Sequence, residues 1–356
     1  MRCLTLASAF SKYGLQSTFV CKQHPGHLCE LIEKRGFPVV KLPVTEAGFS
    51  RSKVSHASWL GSPVRADAES TRAAIEHANR RPKWLIVDHY ALDHQWETVL
   101  RPTVDQLMVI DDLADRMHVC DVLLDQNFFL NLGQRYIDKV PPDCVMLLGP
   151  KYALLQTIYA ELHAQTDPKV AVRRMFMFFG GADTENLTGR AISAFQKLGR
   201  SDIHLDVVMS EGGESYEATK RQISGHSNIC LYGALPSLAP LMHKADIAIG
   251  AGGATTWERL CLGLPSIVIS LAENQEEVSK NLAAGGLIRY LGDKTGVKED
   301  DIYQALVVLV DIPSLLDWSV RCYDVCDGKG ALRVAHFLLS VTEINSVNEI
   351  TNKKCI

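Results

Sequence analysis

The chain has 356 residues, enough for two domains of ordinary size, each with its own hydrophobic core. Its formal net charge of −4 at pH 7, from 37 basic and 41 acidic residues, argues against a large nucleic-acid-binding surface. Hydrophobic residues make up 47% of the chain, but no apolar run approaches the roughly 20 residues that a membrane-spanning helix needs. We therefore predict neither nucleic-acid nor membrane partners.

The cysteine pattern indicates free thiols rather than a disulfide or zinc framework. Ten cysteines are scattered along the chain, and the closest pair, Cys322 and Cys326, has no second pair at zinc-finger spacing. The apolar start of the chain is interrupted by Lys12 and Gly14 before a signal-peptide core forms. Free cysteines without a signal peptide predict a cytoplasmic protein.

Helix and strand patterns alternate from residue 2 to residue 124, which predicts a parallel α/β domain. Predicted helices cover 2–13, 26–35, 66–79 and 93–100, and predicted strands cover 17–22, 39–42, 84–88, 106–110 and 121–124. Pro141-Pro142 and Gly149-Pro150 then punctuate the chain. We place this N-terminal domain at residues 1–150.

Polar residues directly follow three of these strands, as Asp88-His89-Tyr90, Asp111-Asp112 and Asp125-Gln126-Asn127. In open α/β sheets, ligands bind at the carboxyl ends of the strands. For Asp111, Asp112 and Asp125, a role in capping helices or turns is favoured over catalysis. His89 is a better functional candidate, because it and the preceding aspartate follow an apolar strand directly.

The second half repeats the α/β pattern. Predicted strands cover 174–179, 205–209, 228–232, 246–249, 266–270 and 287–291, and the chain then looks helical to about residue 339. We assign 151–336 to a C-terminal domain and 337–356 to a polar tail. A cleft between two such domains is a natural ligand site, with a nucleotide on the second domain and the reacting group facing the first.

Two glycine-rich turns join strands to helices in this second domain. The stretch 250–275 begins GAGGATTWERL and places Glu258 about one turn into the helix, within reach of a ribose diol. The other turn, GGADTENLT, follows strand 174–179. Glycines at such a turn let an anion approach the backbone, so the pattern predicts a site for a phosphorylated ligand. The alternative interpretation is that each is only a tight turn.

Four motifs occur along the chain in the order VDHYALD, GPKYALL, GGADTENLT and GAGGATTWERLCLGLPSIVISLAENQ. Together they resemble the UDP-sugar hydrolases of pseudaminic acid biosynthesis, relatives of the GT-B glycosyltransferase that completes lipid II. The resemblance extends from residue 1 to about residue 335. It implies two Rossmann-like domains in a GT-B arrangement, and hydrolysis of UDP-2,4-diacetamido-2,4,6-trideoxy-β-L-altropyranose by water attack at the anomeric carbon.

The resemblance also implies roles for individual residues. Glu258 matches the position that binds the ribose hydroxyls, and Tyr90 matches an active-site tyrosine of the first domain. Other matched positions lie at the diphosphate (Gly252, Gly253, Ala254, Thr255), at uracil (Tyr232, Gly233) and at the sugar side (Gly180, Gly181, Asp183, Asn274, Gln275). This chemistry demands no metal or cofactor, and a monomer is the expected state.

In that family, the chain opens with a strand and a glycine turn that ends in the catalytic histidine. This sequence begins in the helix predicted at 2–13. We therefore expect the first strand of the N-terminal domain and the base to be absent. Either the natural chain starts further upstream, or the chain is truncated and inactive. A third interpretation is that His89 replaces the base.

Two alternative functions use the same nucleotide site. A GT-B glycosyltransferase would pass the sugar to an acceptor instead of water. A UDP-sugar-binding protein without activity would result from loss of the base. Release of UDP from a UDP-sugar, with and without an acceptor, distinguishes the three functions.

Overall fold

The structure, a computed structural model, describes residues 1–44, 56–180, 183, 185–212 and 214–353. The chain divides into two compact units. The N-terminal unit comprises Met1–Asn127, Asn131–Leu154 and Gly330–Ile356, and the C-terminal unit comprises Phe128–Leu130 and Leu155–Lys329. Each unit has its own parallel β-structure, and each is described separately below.

The N-terminal unit alternates helices and short strands up to residue 148. In chain order, its elements are α1 (Arg2–Ser11), β1 (Phe19–Lys22), α2 (Cys29–Lys34), β2 (Val39–Leu42), α3 (Val64–His77), β3 (Trp84–Val87), α4 (His94–Leu100), β4 (Gln106–Ile110), β5 (Val122–Asp125) and β6 (Val145–Leu148). Strands β4 and β5 are apolar and almost fully buried, as expected for parallel strands covered on both faces.

The strands of this unit form two parallel sheets. Among the strands that the structure describes, β1 pairs only with β2, and the order of the second sheet is β3-β4-β5-β6. Within the described part of the chain, β1 and β3 therefore each have one strand neighbour. Helix α1 buries Leu6, Ala9 and Phe10 in a cluster that includes Met108 and Ile110 of β4, which fixes it against the larger sheet.

The C-terminal unit is a six-stranded parallel sheet with helices between its strands. Its elements are α5 (Thr157–His163), β7 (Arg174–Phe178), α6 (Leu187–Lys197), β8 (His204–Val208), α7 (Glu214–Gln222), β9 (Ile229–Tyr232), α8 (Ala239–Lys244), β10 (Ile247–Ala251), α9 (Thr255–Cys261), β11 (Ser266–Ser270), α10 (Glu276–Ala284), β12 (Arg289–Asp293), α11 (Glu299–Val310) and α12 (Leu316–Val325).

The strand order of this sheet is β12-β11-β10-β7-β8-β9. The chain runs outward from β7 to β9, and then returns to place β10 on the other side of β7. This reversal is a topological switch point between β7 and β10, where the helices that follow the two strands leave on opposite faces. Ligands of open α/β sheets bind in the crevice at such a point, at the carboxyl ends of the strands.

The chain ends in helix α13 (Gly330–Lys353), where the sequence predicted helix only to about residue 339 and a polar tail from 337. Val334, Ala335 and Leu338 of α13 are buried in the same cluster as α1, so this helix belongs to the N-terminal unit. The boundary predicted at residue 336 therefore lies inside α13. The polar composition of its last turns concealed a helix whose first turns are held by packing.

Candidate nucleotide site

The first glycine turn follows β10, next to the switch point. Gly250 pairs in register with Phe178 of β7. A Cβ atom at Gly250 would lie 2.4 Å from the carbonyl oxygen of Phe178 and 2.5 Å from a guanidinium nitrogen of Arg259. The sequence pattern identified this glycine as part of a phosphate turn. In the structure, its missing side chain lets β10 and β7 pack together above the buried arginine.

We expect Gly250→Ala to lower the free energy of unfolding by about 1–3 kcal/mol, because overpacking against a fixed backbone carbonyl forces the strands apart. Urea unfolding of both proteins measures this difference. Gly253→Ala is the stability control, because its Cβ would meet only Gln275 Nε2, at 3.5 Å. Equal losses for the two variants would contradict the packing argument.

The turn is closed on one side by helix α10 and the segment before it. A Cβ atom at Gly252 would lie 2.6 Å from Ser279 Oγ, so this glycine is also needed for packing. Gln275 accepts a hydrogen bond from the Leu271 backbone N–H at 2.9 Å, and its side chain lies next to both Gly252 and Gly253. The predicted diphosphate positions and Gln275 thus come together in one turn.

Glu258, on α9, is a half-buried carboxylate beside this turn. Its Oε2 atom is buried and has no hydrogen-bond partner among the described residues. Burial raises the pKa of Glu258 to about 7, while the nearby Tyr159 hydroxyl and the charge of Arg259 act in the opposite direction. A buried acceptor without a partner is a feature that a ligand donor would satisfy.

Arg259 lies next to Glu258 in sequence, but it points into the protein. It is 1% exposed, and one of its nitrogens donates to the Ala251 carbonyl at 2.9 Å and to Thr256 Oγ1 at 3.0 Å. Burial lowers the pKa of Arg259 to about 10, and the nearby Glu258 opposes that shift. The guanidinium therefore ties the end of β10 to the first turn of α9. Sequence analysis did not identify it.

The second glycine turn follows β7, so the β7–β10 pairing places it at the same sheet edge. Gly180 has a φ of +91°, a conformation that favours glycine. Both carboxylate oxygens of Asp183 accept hydrogen bonds from the start of α6, from Leu187 N and Thr188 N, each at 2.8 Å. Asp183 thus caps a helix. Gly181 lies outside the described residues.

The other predicted nucleotide residues lie further from the switch point. Tyr232 ends β9, the edge strand, and its hydroxyl donates to Asp206 at 3.2 Å. Gly233 follows it, and a Cβ there would collide with the Glu211 side chain. At a strand spacing of about 4.8 Å, β9 lies roughly 14 Å from β10 along the sheet. Asn274 is exposed on the turn before α10.

Two of the predicted polar clusters of the N-terminal unit come together at the first helix. Arg2 of α1 makes a forked contact with Asp88, at 2.7 to 3.0 Å, and a second ion pair with Asp112 at 2.8 Å. The Cys3 thiol also donates to Asp88, at 3.3 Å. Burial would raise the pKa of Asp88, but Arg2 and Cys3 together hold it below its usual value. Sequence analysis did not single out Arg2.

Tyr90 and His89 differ in their surroundings. Burial raises the pKa of Tyr90, and so does the nearby Asp112. The Tyr90 ring lies 5.4 Å from His56 and 5.9 Å from the exposed Trp59, between ring centroids. His89 Nδ1 instead accepts a hydrogen bond from the Ala91 backbone N–H at 3.1 Å, and burial lowers its pKa.

Asp111 and Asp125 belong to a buried polar network rather than to an open site. Asp111 is fully buried, forms an ion pair with Arg116 at 2.8 Å and accepts from Ala114 N at 2.9 Å. Asp125 accepts from Asn127 N at 2.9 Å. The predicted turn-capping role is therefore present, with ion pairs added to it. Within the described ranges, no group of three or more His, Cys, Asp or Glu side chains could hold a metal ion.

Residues 175–296 match the glycosyltransferase family 28 C-terminal domain. The matched range runs from β7 to the turn after β12, and it contains both glycine turns and Glu258. The match therefore falls on the C-terminal unit, where the switch point and the unpartnered Oε2 atom of Glu258 lie.

Two curated proteins are similar to parts of the chain. One is the spore coat polysaccharide biosynthesis protein SpsG of Bacillus subtilis (strain 168), 28% identical over 197 residues, which are 55% of this chain and 58% of SpsG. The other is the UDP-2,4-diacetamido-2,4,6-trideoxy-β-L-altropyranose hydrolase of Campylobacter jejuni subsp. jejuni serotype O:2, 26% identical over 203 residues. That alignment covers 57% of this chain and 71% of the hydrolase. The chain thus spans little more than half the length of SpsG.

The solved structure of MurG from Acinetobacter baumannii is similar to the whole chain. The two structures superpose with a TM-score of 0.67 at 15% sequence identity, and the superposition covers 95% of each chain. The fold is that of the GT-B glycosyltransferases, with two Rossmann-like units, as the sequence resemblance implied. Among the helices that the structure describes, none combines the length and the apolar character needed to cross a membrane.

Proposed function

We propose that this protein hydrolyses UDP-2,4-diacetamido-2,4,6-trideoxy-β-L-altropyranose and releases UDP. The observation that carries this proposal is the unpartnered, buried Oε2 of Glu258 next to the glycine turn at the switch point. The family 28 match over the same unit supports a nucleotide-sugar ligand. The similarity to the Campylobacter hydrolase supports the choice of substrate and of water as the acceptor.

In this proposal, the C-terminal unit holds the nucleotide. Glu258 accepts hydrogen bonds from the two ribose hydroxyls, and the backbone of residues 252–255 contacts the diphosphate. The carboxyl end of β9, at Tyr232 and Gly233, binds uracil. Gly180, Asp183, Asn274 and Gln275 line the sugar and diphosphate side, and the predicted Gly181 lies outside the described residues.

The reaction breaks the bond between the anomeric carbon and the diphosphate oxygen. A water oxygen forms the new bond to that carbon and loses a proton to the bulk solvent, and the electron pair of the broken bond leaves with UDP. The leaving diphosphate has a low proton affinity, so it needs charge stabilisation more than it needs an acid. Backbone N–H groups of a glycine turn supply such stabilisation without reorganising.

We assign Tyr90 to the sugar side, on the N-terminal unit. Burial and the neighbouring Asp112 favour its neutral form, which can donate a hydrogen bond at neutral pH. We assign His89 to a structural role, because its Nδ1 already accepts from the Ala91 backbone. The monomeric state and the cytoplasmic location remain predictions from the sequence.

The test is UDP release from the UDP-sugar, followed with a UDP-specific coupled assay. We expect release in the absence of any acceptor, and no release from UDP-N-acetylglucosamine under the same conditions. Release only after a sugar or lipid acceptor is added would contradict the hydrolase and support a glycosyltransferase. Tight UDP binding without release would support a binding protein instead.

A further inference from the structure

Two cysteines lie at the starts of neighbouring strands in the N-terminal unit. Cys120 lies two residues before β5, and Cys144 directly precedes β6. Their Sγ atoms are 3.6 Å apart, although 24 positions separate the two residues in the chain. Strands β5 and β6 pair in parallel, with Val122 opposite Val145. This pairing brings the two thiols together, and their spacing in the sequence did not indicate it.

The two side chains lie almost at the separation of a disulfide. Bonded sulfur atoms are about 2.05 Å apart, so these two must approach by only about 1.5 Å. Continuing the register of β5 and β6 offsets Cys120 from Cys144 by one residue, which gives a Cα separation of roughly 5.8 Å, inside the range of about 4.4–6.8 Å for disulfides. The Cys144 thiol also donates to the Val145 carbonyl oxygen at 3.8 Å, a long contact that costs little to break. Small rotations of the two side chains can therefore join the sulfur atoms.

The two thiols differ in exposure. Cys120 is buried in the apolar cluster of this unit, whereas Cys144 packs at the edge of that cluster and is half-buried. The contact with Cys144 raises the pKa of the Cys120 thiol, and burial raises it as well. Because the thiolate is the reactive form and must be accessible, an oxidant from solution should react first at Cys144.

We propose that Cys120 and Cys144 are a redox-sensitive pair, which a low-molecular-weight disulfide oxidises to a disulfide bond within the chain. This inference does not depend on the proposed function. The Cys144 thiolate first attacks one sulfur atom of the small disulfide, which releases one thiol and leaves the other half bonded to Cys144. The Cys120 sulfur then loses its proton and attacks the Cys144 sulfur, which releases the second thiol. The pair loses two electrons and two protons, and the small disulfide gains them.

The bond would act on the last strand of its sheet. The order β3-β4-β5-β6 gives β6 one strand neighbour among the described strands, and its Val145 and Met146 side chains are exposed. Such a strand can open locally while the rest of the sheet stays folded. A covalent link between the residues that precede β5 and β6 removes open conformations in which the two strands separate. Oxidation should thus stabilise the β5–β6 pairing, and a reductant should reverse this effect.

The experiment treats the full chain with oxidised glutathione at pH 8, removes the reagent, blocks the remaining thiols with iodoacetamide under denaturing conditions, and maps the tryptic peptides without reduction. Trypsin yields residues 117–135 and 140–151, which contain Cys120 and Cys144 respectively and no other cysteine. We expect the two peptides in one product that is lighter than their sum by two hydrogen atoms, from a protein that still migrates as a monomer. Dithiothreitol should separate them.

Hydrogen exchange measures the structural consequence. In the oxidised protein, the backbone amides of β6 should exchange at least about 10-fold more slowly than in the reduced protein. The amides of β11, which lies in the other unit, should exchange at the same rate in both forms. Glutathione that stays on Cys144 while Cys120 remains alkylated would overturn the inference. A link found only in covalent dimers, or β6 exchange that does not respond to oxidation, would overturn it as well.

Cys144→Ser is the diagnostic variant, and Cys230→Ser is its matched control. Cys230 is an exposed cysteine on β9 of the other unit, so its loss should leave both the linked peptides and the slower exchange in place. Cys144→Ser should abolish both. If Cys144→Ser does not fold, Cys120→Ala takes its place, since alanine leaves no unpaired hydroxyl in the apolar cluster. Slower β6 exchange after oxidation of either variant would assign the effect to another bond and contradict the inference.

Discussion

Glu258→Ala is expected to lower the affinity for UDP by about 10- to 100-fold at pH 8, the largest effect on binding that we predict for one side chain. At this pH, most of the carboxylate is ionised, since burial raises its pKa only to about 7. Hydrogen bonds from the ribose hydroxyls to an ionised acceptor contribute about 1.5–3 kcal/mol, which corresponds to this range.

The wild-type affinity should also fall as the pH decreases through about 7, because protonation removes one acceptor of the carboxylate. In Glu258→Ala, this pH dependence should disappear. Isothermal titration calorimetry at pH 6, 7 and 8 measures both effects. Glu161→Ala is the control, because Glu161 is an exposed glutamate on α5. If Glu258→Ala binds UDP as the wild type does, our placement of the ribose is wrong.

Asp111→Asn is expected to lower the free energy of unfolding by about 3–5 kcal/mol, the largest effect on stability that we predict. The Arg116 side chain is only 6% exposed, and the substitution removes its buried carboxylate partner and leaves the more exposed Asp115 to neutralise it. Tyr136 and the Ala114 N–H donate to Asp111 Oδ2, and Arg116 contacts Oδ1, so the NH2 group of an asparagine would face a donor on one side or the other.

The difference in free energy of unfolding between the wild type and Asp111→Asn should decrease as the pH falls. Burial alone would raise the pKa of Asp111, but Arg116 and His118 hold it below the usual value. An aspartate whose pKa is depressed in the folded state stabilises the protein above its unfolded pKa of about 3.9, and this contribution is lost as the pH falls through the lower folded value. The two proteins should therefore differ fully at pH 7, and should converge below about pH 4.

Urea unfolding at pH 7 and at several acidic pH values measures this difference. Asp105→Asn is the matched control, since Asp105 forms ion pairs with Arg81 and Lys83 at the surface. Exposed pairs of this kind contribute less than about 1 kcal/mol. Similar losses for the two variants, or a loss at Asp111 that does not change with pH, would contradict the buried-network argument.

The alternating pattern of helices and strands was largely predictable from the sequence. Strands β2, β4 and β11 have the predicted bounds, because each is a short apolar run between polar or glycine-containing segments. Strand β6 and helix α5 were missed, since they lie in a stretch interpreted only as a crossing between domains. In β6, Val145 and Met146 are exposed, so the run lacks the buried character of the other strands.

The glycine turn and Glu258 could also be identified from sequence, because a turn of this kind depends on residues close together in the chain. Sequence alone did not show that Gly250 is needed for packing against Phe178, or that Asp183 caps α6. The packing of Gly250 depends on which strands are neighbours, and hydrophobic periodicity carries no information about strand order. The Asp183 contacts are local, but the resemblance assigned this residue to the sugar side, so it was not considered as a cap.

The sequence by itself therefore determined the class of fold and the position of the glycine turn that we propose as the nucleotide site. Only the tertiary structure brought Arg2 to the carboxylates of Asp88 and Asp112. Arg2 is far from both in the chain, and the two ion pairs depend on how helix α1 packs. Residue spacing predicts which face of a helix is apolar. It does not predict which distant side chain that packing will place against a buried carboxylate.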